Sequence, residues 1–339
     1  MVTIKQVARA AGCSIATVSR VINKQGKYSS VTEERVKKAV ERLGYRTNIT
    51  ARRLKKGSTM SVGLVTSEYR LLNHPELLST AIKFFQSHGF NVEIVLDRTL
   101  SQCASLLGEG RFDGLLITDS TRDERAIKDL IDSGHRFVLL GGETGREDVN
   151  LVDIDYFAGG YQATKLLIRN GHTEILLLEG RSPGFVSQEI RRGYLFALDE
   201  HGIGYRESLI VTNREVLYKN QELFGYTSLK ARLSVGRSQT EKFTAVFSTD
   251  DRIAAGVMRA MAECGIGVPN QRSVIGFGNL SLSEYLFPPL TTVVVPLAGM
   301  AELGAEILVN SITREDSVVK SVNLKPQLVE RDTVSKRLT

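Results

Sequence analysis

The sequence has no run of about 18 apolar residues, the length a membrane-spanning helix needs. Its opening stretch, Met1-Val2-Thr3-Ile4-Lys5, lacks the apolar core of a secretory signal. Cysteine is scarce: Cys13, Cys103 and Cys264 are too few and too scattered for a disulfide scaffold or a zinc site. No H-x-x-x-H, C-x-x-C or P-loop pattern is present. Gly141-Gly142-Glu143-Thr144-Gly145 is glycine-rich but has no P-loop lysine, so it reads as a turn. Four of the five histidines adjoin glycine, a helix-end setting in which His suits the dipole and the turn. These absences argue against an enzyme and require no cofactor or metal. They fit a soluble cytoplasmic protein.

What is present is ordinary globular material: 339 residues, 42% apolar and 24% charged, enough for two or three domains. The charge is unevenly spread. Residues 1–60 hold 14 Lys or Arg against three acids, Glu33, Glu34 and Glu41, a net +11. The other 279 residues hold 30 bases and 35 acids. A basic head on a mildly acidic body fits a polyanion partner for the head alone. Charge alone leaves a solvated basic surface equally open.

The head carries helical signals. Thr3-x-x-Gln6 is a capping box, and Ile4, Val7, Ala8 and Ala11 form a stripe at helical spacing before Gly12. Ser14 can cap a second helix with Ile15, Val18, Val21 and Ile22 as its apolar positions. Two short helices around a glycine turn make a helix-turn-helix. Ser30-x-x-Glu33 reads as a capping box for a third helix, with Val36, Ala39, Val40 and Leu43 inward and Gly44 as its stop. In such a unit the second helix enters the major groove. Ser14, Thr17 and Ser19 can bond phosphates or base edges, Arg20 a guanine edge, and Ile15 and Ala16 a thymine methyl.

The ordered run Thr3-Ile4-Lys5-x-Val7-Ala8-x-x-Ala11-Gly12-x-Ser14-x-x-Thr17-Val18-Ser19-Arg20-Val21-Ile22-Asn23 closely resembles the DNA-binding head of the lactose/galactose repressor (LacI/GalR) family. Gln6 stands where that family usually has Asp, and Cys13 where Val is usual. Cys13 reads as a small buried hydrophobe. Leu43-Gly44-Tyr45-Arg46-x-Asn48-x-x-Ala51-Arg52-x-Leu54 resembles the family's hinge helix. About two basic turns would not hold as a helix alone in water. The resemblance implies that the segment folds on DNA beside its twin, with Leu54 wedged into the minor groove. It implies DNA contacts from Thr3, Ser14, Ile15, Ala16, Thr17, Ser19, Arg20, Asn23, Ser29, Thr32, Tyr45, Asn48, Ala51 and Leu54.

From residue 61 onward apolar strands alternate with amphipathic helices. Val62–Val65, Val92–Leu96, Gly114–Ile117, Phe137–Leu140 and Leu151–Ile154 form one strand series. Ile175–Leu178, Leu209–Val211, Ala245–Phe247, Ser273–Gly276 and Thr291–Val295 form another. Alternation of this kind predicts doubly wound parallel sheets, with ligands at the carboxyl ends of the strands. Stretches such as Arg111-Phe112-Asp113-Gly114-Leu115 and Ser273-Val274-Ile275-Gly276-Phe277 resemble the family's body, which is similar to a periplasmic sugar-binding protein. The fold class is thus a small all-α helix-turn-helix head plus an α/β body of two doubly wound parallel-sheet subdomains. The expected divisions are residues 1–46 for the head, 47–60 for the hinge and 61–339 for the body. Within the body, the N-subdomain takes about 61–158 and 290–320, and the C-subdomain about 159–289 and 321–335.

Family members commonly hold a sugar or related small molecule in the cleft. Asp119, Ser120, Asp155, Arg191, Asp250 and Asn279 are the candidate effector residues here, with Asp153 at another strand end. N-capping of the following helix is an equal reading for each Asp or Ser. Two departures stand out. Gly278 occupies the place where the family commonly has a ligand-gripping Asp, and Ile190 the place of a usual Arg. A typical neutral-sugar site loses a strong acceptor and a donor fork, so an atypical effector, or none, is expected. The resulting expectation is a repressor of a carbohydrate-related operon, dimeric on a near-palindromic operator and modulated by a small molecule. A regulator with a degenerate cleft, independent of effector or dependent on a co-regulator, is the alternative. A solute-binding module is the remote one.

Overall fold

The computed structural model describes residues 2–22, 26, 28–44, 58–118, 124–142, 146–181, 184–213, 220–235, 243–314 and 318–337. The chain divides into two compact units, Met1–Thr59 and Met60–Thr339.

Among the described residues, the first unit holds three helices, α1 (Ile4–Ala11), α2 (Ile15–Ile22) and α3 (Ser30–Leu43). Thr3 N–H donates to Gln6 Oε1 at 2.8 Å in the expected capping box. Ser14 Oγ accepts from Thr17 N–H at 3.1 Å and so caps α2. The third cap differs from expectation. Ser29, not Ser30, is the N-cap, its hydroxyl accepting from Thr32 N–H at 3.2 Å. Adjacent serines offer the same cap chemistry, and backbone conformation selects between them. Gly12 and Gly44, both at φ 60°, close α1 and α3 in the left-handed region that glycine enters without strain. Val7, Ala8, Ala11, Val18, Val21, Val36 and Ala39 form the buried centre, with Cys13 packed against it. Ile15 is not inward: it is 44% exposed.

The second unit is built on two six-stranded sheets. The first is ordered β11-β5-β4-β3-β1-β2. Its strands are β1 (Ser61–Thr66), β2 (Asn91–Leu96), β3 (Gly114–Ile117), β4 (Phe137–Leu140), β5 (Leu151–Ile154) and β11 (Ser321–Leu324). All its pairings are parallel, for example Val62 opposite Val92 and Gly114. The second is ordered β12-β10-β9-β8-β6-β7. It comprises β6 (Ile175–Arg181), β7 (Ile210–Asn213), β8 (Ala245–Ser248), β9 (Ser273–Gly278), β10 (Thr291–Val294) and β12 (Gln327–Val329). Only β12 runs antiparallel, against β10. Runs such as Leu115-Leu116-Ile117 and Leu176-Leu177-Leu178 are fully buried, as strands covered on both faces must be.

The chain passes between lobes after β5, after β10 and after β11. The first passage, at Asp155, falls a few residues before the boundary of about 158 read from the sequence. The other two correct that reading. Thr291–Val294 belongs to the second sheet and Ser321–Leu324 to the first, so neither 290 nor 321 begins a new lobe. A buried strand shows the same apolar run in either sheet, and Pro288-Pro289 supplies a turn signal without a crossing. The short, half-exposed β11 and β12 escape a periodicity reading altogether.

Helix Tyr156–Arg169 packs against helix Phe185–Glu200 at a distance only glycine permits. A Cβ on Gly160 would lie 2.2 Å from the Ile190 carbonyl oxygen, and one on Gly193 2.2 Å from that of Phe157. Ile190 itself is 1% exposed and sits in the core. Its apolar side chain is therefore a packing residue in this body.

Candidate nucleic-acid face and body cleft

In the head, α2 turns Val18 and Val21 into the core and leaves Ile15, Ala16 and Arg20 exposed. Ser14 and Thr17 lie at its first turn, their hydroxyls 2.8 Å apart, and Ser19 is half-buried. Thr3 and Ser29 stand exposed at the N-termini of α1 and α3, and Thr32 Oγ1 is 2.9 Å from Ser29 Oγ. Sequence reasoning missed Arg35. Its Nε donates to the Ala11 carbonyl at 3.0 Å and its Nη2 to that of Gly12 at 2.8 Å. One cation thus satisfies the last carbonyls of α1 and fixes the turn before α2. Asn23, Tyr45, Asn48, Ala51 and Leu54 lie outside the described residues.

At the carboxyl ends of the body strands, four of the six effector candidates are described, and all four have partners within the chain. Asp155 N-caps helix Tyr156–Arg169, accepting from Ala158 N–H at 2.9 Å. Asp250 N-caps helix Asp251–Glu263 and accepts Arg252 Nε at 2.9 Å and Nη2 at 2.6 Å. Arg191 forks onto buried Glu179 at 2.9 and 2.6 Å and also donates to Thr212. Asn279 Oδ1 accepts from Arg331 Nη2 at 2.8 Å. Asp119 and Ser120 lie outside the described residues.

Two buried carboxyls are the most perturbed acids there. Burial pushes Asp153 up to about 6, with Glu189 adding to the rise; the Ile154 N–H and Arg70 oppose it. Asp251 is pushed up to about 7, again chiefly by burial. Its Oδ1 accepts from Thr292 Oγ1 at 2.6 Å and its Oδ2 from Leu280 N–H at 2.7 Å. Gln221 Oε1 and Ser248 Oγ are buried without a hydrogen-bond partner among the described residues. The Arg252 guanidinium also reaches the other lobe, donating from Nη1 to Asn73 Oδ1. Nothing in the sequence marks that pairing, because 179 residues separate the two.

Of the histidines, His88 and His201 lie at helix ends, each ring 2.9 or 2.8 Å from a last-turn carbonyl. His172 is instead buried, bonded to Thr244, Ser273 and the Ser335 carbonyl. Burial holds its pKa below the ordinary value, so the ring is neutral. One pattern escapes the motif reading: Gly180-Arg181-Ser182-Pro183-Gly184 has the G-x-S-x-G spacing, between a strand and a helix. Ser182 lies outside the described residues.

Residues 3–48 match the family described as bacterial regulatory proteins, lacI family. Residues 164–334 match the periplasmic binding protein-like domain. The HTH-type transcriptional repressor PurR of Vibrio vulnificus (strain CMCP6) is 32% identical over 342 residues, covering 99% of both chains. The chain belongs to the lacI family. It is a DNA-binding transcriptional repressor of the helix-turn-helix type with a periplasmic-binding-protein-like body. PurR of Vibrio parahaemolyticus is 33% identical over 344 residues, again with 99% of each chain covered. Among solved structures, a CelR–cellobiose complex has 28% identity and a TM-score of 0.70, covering 98% of this chain and 100% of that one. The lac repressor bound to ONPG has 25% identity and a TM-score of 0.83 over 98% and 99%. Repressor relatives weigh against a hydrolase serine at 182. No helix among the described residues is long and apolar enough to cross a membrane.

Proposed function

We propose that this lacI-family repressor acts as a homodimer whose two heads read a near-palindromic operator, half-sites about one helical turn apart. The observation that carries the reading is the outward face of α2, where Ile15, Ala16 and Arg20 stand clear of the core in a head of net +11. Pairing through the body is supported by Tyr285 and Phe287, 85% and 97% exposed in the single chain, an unusual state for large apolar side chains. Competition of a bound operator fragment with random duplex tests sequence specificity. Equal displacement by both, with steep salt dependence, refutes it in favour of a nucleoid-type binder.

The regulated operon is carbohydrate-related in this reading, with a sugar or derivative as effector. The solved CelR–cellobiose complex supports a sugar-type ligand. A specific observation favours the second reading, an effector-independent repressor: Asp155, Arg191, Asp250 and Asn279 are all engaged by their own chain. Thermal unfolding against sugars, sugar acids, sugar phosphates and nucleobases separates the two. A ligand at 100 Kd adds about 2.7 kcal/mol, and no shift across the panel supports the second.

A further inference from the structure

Resting on that second reading, we propose that Arg252 and Asn73 form an internal latch that closes the body cleft without a ligand and sets operator affinity. The two lobes are joined by three short passages, at Asp155, between Val294 and Leu297, and between Leu324 and Gln327. Such connections absorb hinge rotation, so closure depends on what bridges the cleft. Asn73 ends helix Glu68–Asn73 of the first lobe, and Arg252 lies in the first turn of helix Asp251–Glu263 of the second. The Arg252 side chain is 9% exposed. Two of its nitrogens are committed to Asp250 within its own lobe. That fork cancels the charge and fixes the plane of the guanidinium, and Nη1 is left to donate to Asn73 across the cleft. Asp250 is in turn held in place as the cap of the same helix, through Arg252 N–H at 2.8 Å.

The arm is therefore oriented before closure, and closing costs little side-chain entropy. A hydrogen bond to a charged donor shifts a two-state equilibrium on the order of tenfold or more. The latch stands in the role an effector has in a ligand-gated body, and it is always present. Operator affinity is then constitutive and changes when something breaks the Arg252–Asn73 bond.

The test uses the full-length chain. Spin labels are placed at native Cys264 in the second lobe and at Lys128→Cys in the first, in a Cys13→Ala background. Labelled chains are diluted with unlabelled ones so that each measured pair lies in one subunit. Asn73→Leu keeps the branched shape and heavy-atom count and removes the acceptor. It is expected to broaden the narrow interlobe distance of the parent and to change operator affinity on the order of tenfold. Leu72→Ala, at an exposed neighbouring position, is expected to change neither. An unaltered distance distribution in Asn73→Leu overturns the latch, as does a broadened one with unchanged operator affinity, or an equal effect from Leu72→Ala. Absence of operator binding in the parent would refute the repressor dimer, while the distance measurement would still decide the latch.

Discussion

At Gly278, where the resemblance to the family implies a ligand-gripping Asp, the structure assigns a cost to introducing one. The glycine sits at φ 124°, a backbone conformation that L side chains rarely adopt. Space is not the obstacle: the nearest atoms to an added Cβ are Leu280 Cγ at 3.7 Å and Asp251 Oδ2 at 3.8 Å. Gly278→Ala should therefore show backbone strain alone, about 1–3 kcal/mol. For a chain of this size, 2 kcal/mol is a fall in Tm of roughly 3 °C. Gly278→Asp adds a carboxylate beside buried Asp251. Two charges about 4 Å apart repel by at most about 4 kcal/mol at an effective dielectric of 20. That second penalty depends on pH. Burial pushes Asp251 up to about 7, so at pH 5.5 it is mostly protonated and the gap between the Asp and Ala variants should be small. At pH 8.5 the pair must either carry both charges or hold a proton at a cost of about 2 kcal/mol, so Gly278→Asp should melt lower. Thermal unfolding of the parent and both variants at the two pH values reads out both terms. An unchanged melting temperature in Gly278→Ala refutes the strain argument. A gap between the variants that is the same at both pH values refutes the charge argument.

Other perturbations give separate checks. Asp153 carries a pKa raised to about 6 in the folded chain, so the folded state binds more protons than the unfolded one between about pH 4 and 6. Its contribution to stability is therefore present at low pH and lost as pH rises through 6; Asp153→Asn should flatten this trend, by at most about 3 kcal/mol. A denaturant series with the same slope in both proteins would contradict it. His172→Ala removes a neutral ring that joins Thr244, Ser273 and Ser335, and should cost about 2–3 kcal/mol; an unchanged denaturation midpoint would show the network to be idle. Arg35→Ala should speed amide exchange in the last turn of α1, because two carbonyls lose their donor, and equal protection would refute the cap. Arg20→Ala should cost about 1–3 kcal/mol and relax base choice at one operator position, whereas a uniform loss on all sequences would make Arg20 a phosphate contact.

The sequence and the structure agree where local chemistry decides. Stripes such as Val7–Ala8–Ala11 and Val18–Val21 require one helix face to be buried, and the runs at Leu115–Ile117 and Leu176–Leu178 require a covered sheet. Thr3, Ser14 and Gly12 act on residues within four positions of themselves, so their roles can be read from spacing alone. Agreement fails where the partner is remote. Arg35 meets Ala11 across 24 residues, Arg252 meets Asn73 across 179, and His172 meets Ser335 across 163.

The cleft shows the same division in a form that bears on function. A carboxylate at the end of a parallel strand stands where a ligand would bind and also where the next helix must be capped, and sequence cannot tell the two apart. Asp155 and Asp250 resolve to caps because a helix N–H lies within hydrogen-bond distance of each. A cap is not thereby barred from touching a ligand, since a carboxylate has lone pairs to spare. Asp250 has few left, with Arg252 taking both of its oxygens. An effector that displaced Arg252 from Asp250 would also release the arm that reaches Asn73. Ligand binding at this cleft and opening of the latch would then be one event, and such a ligand should favour the open body.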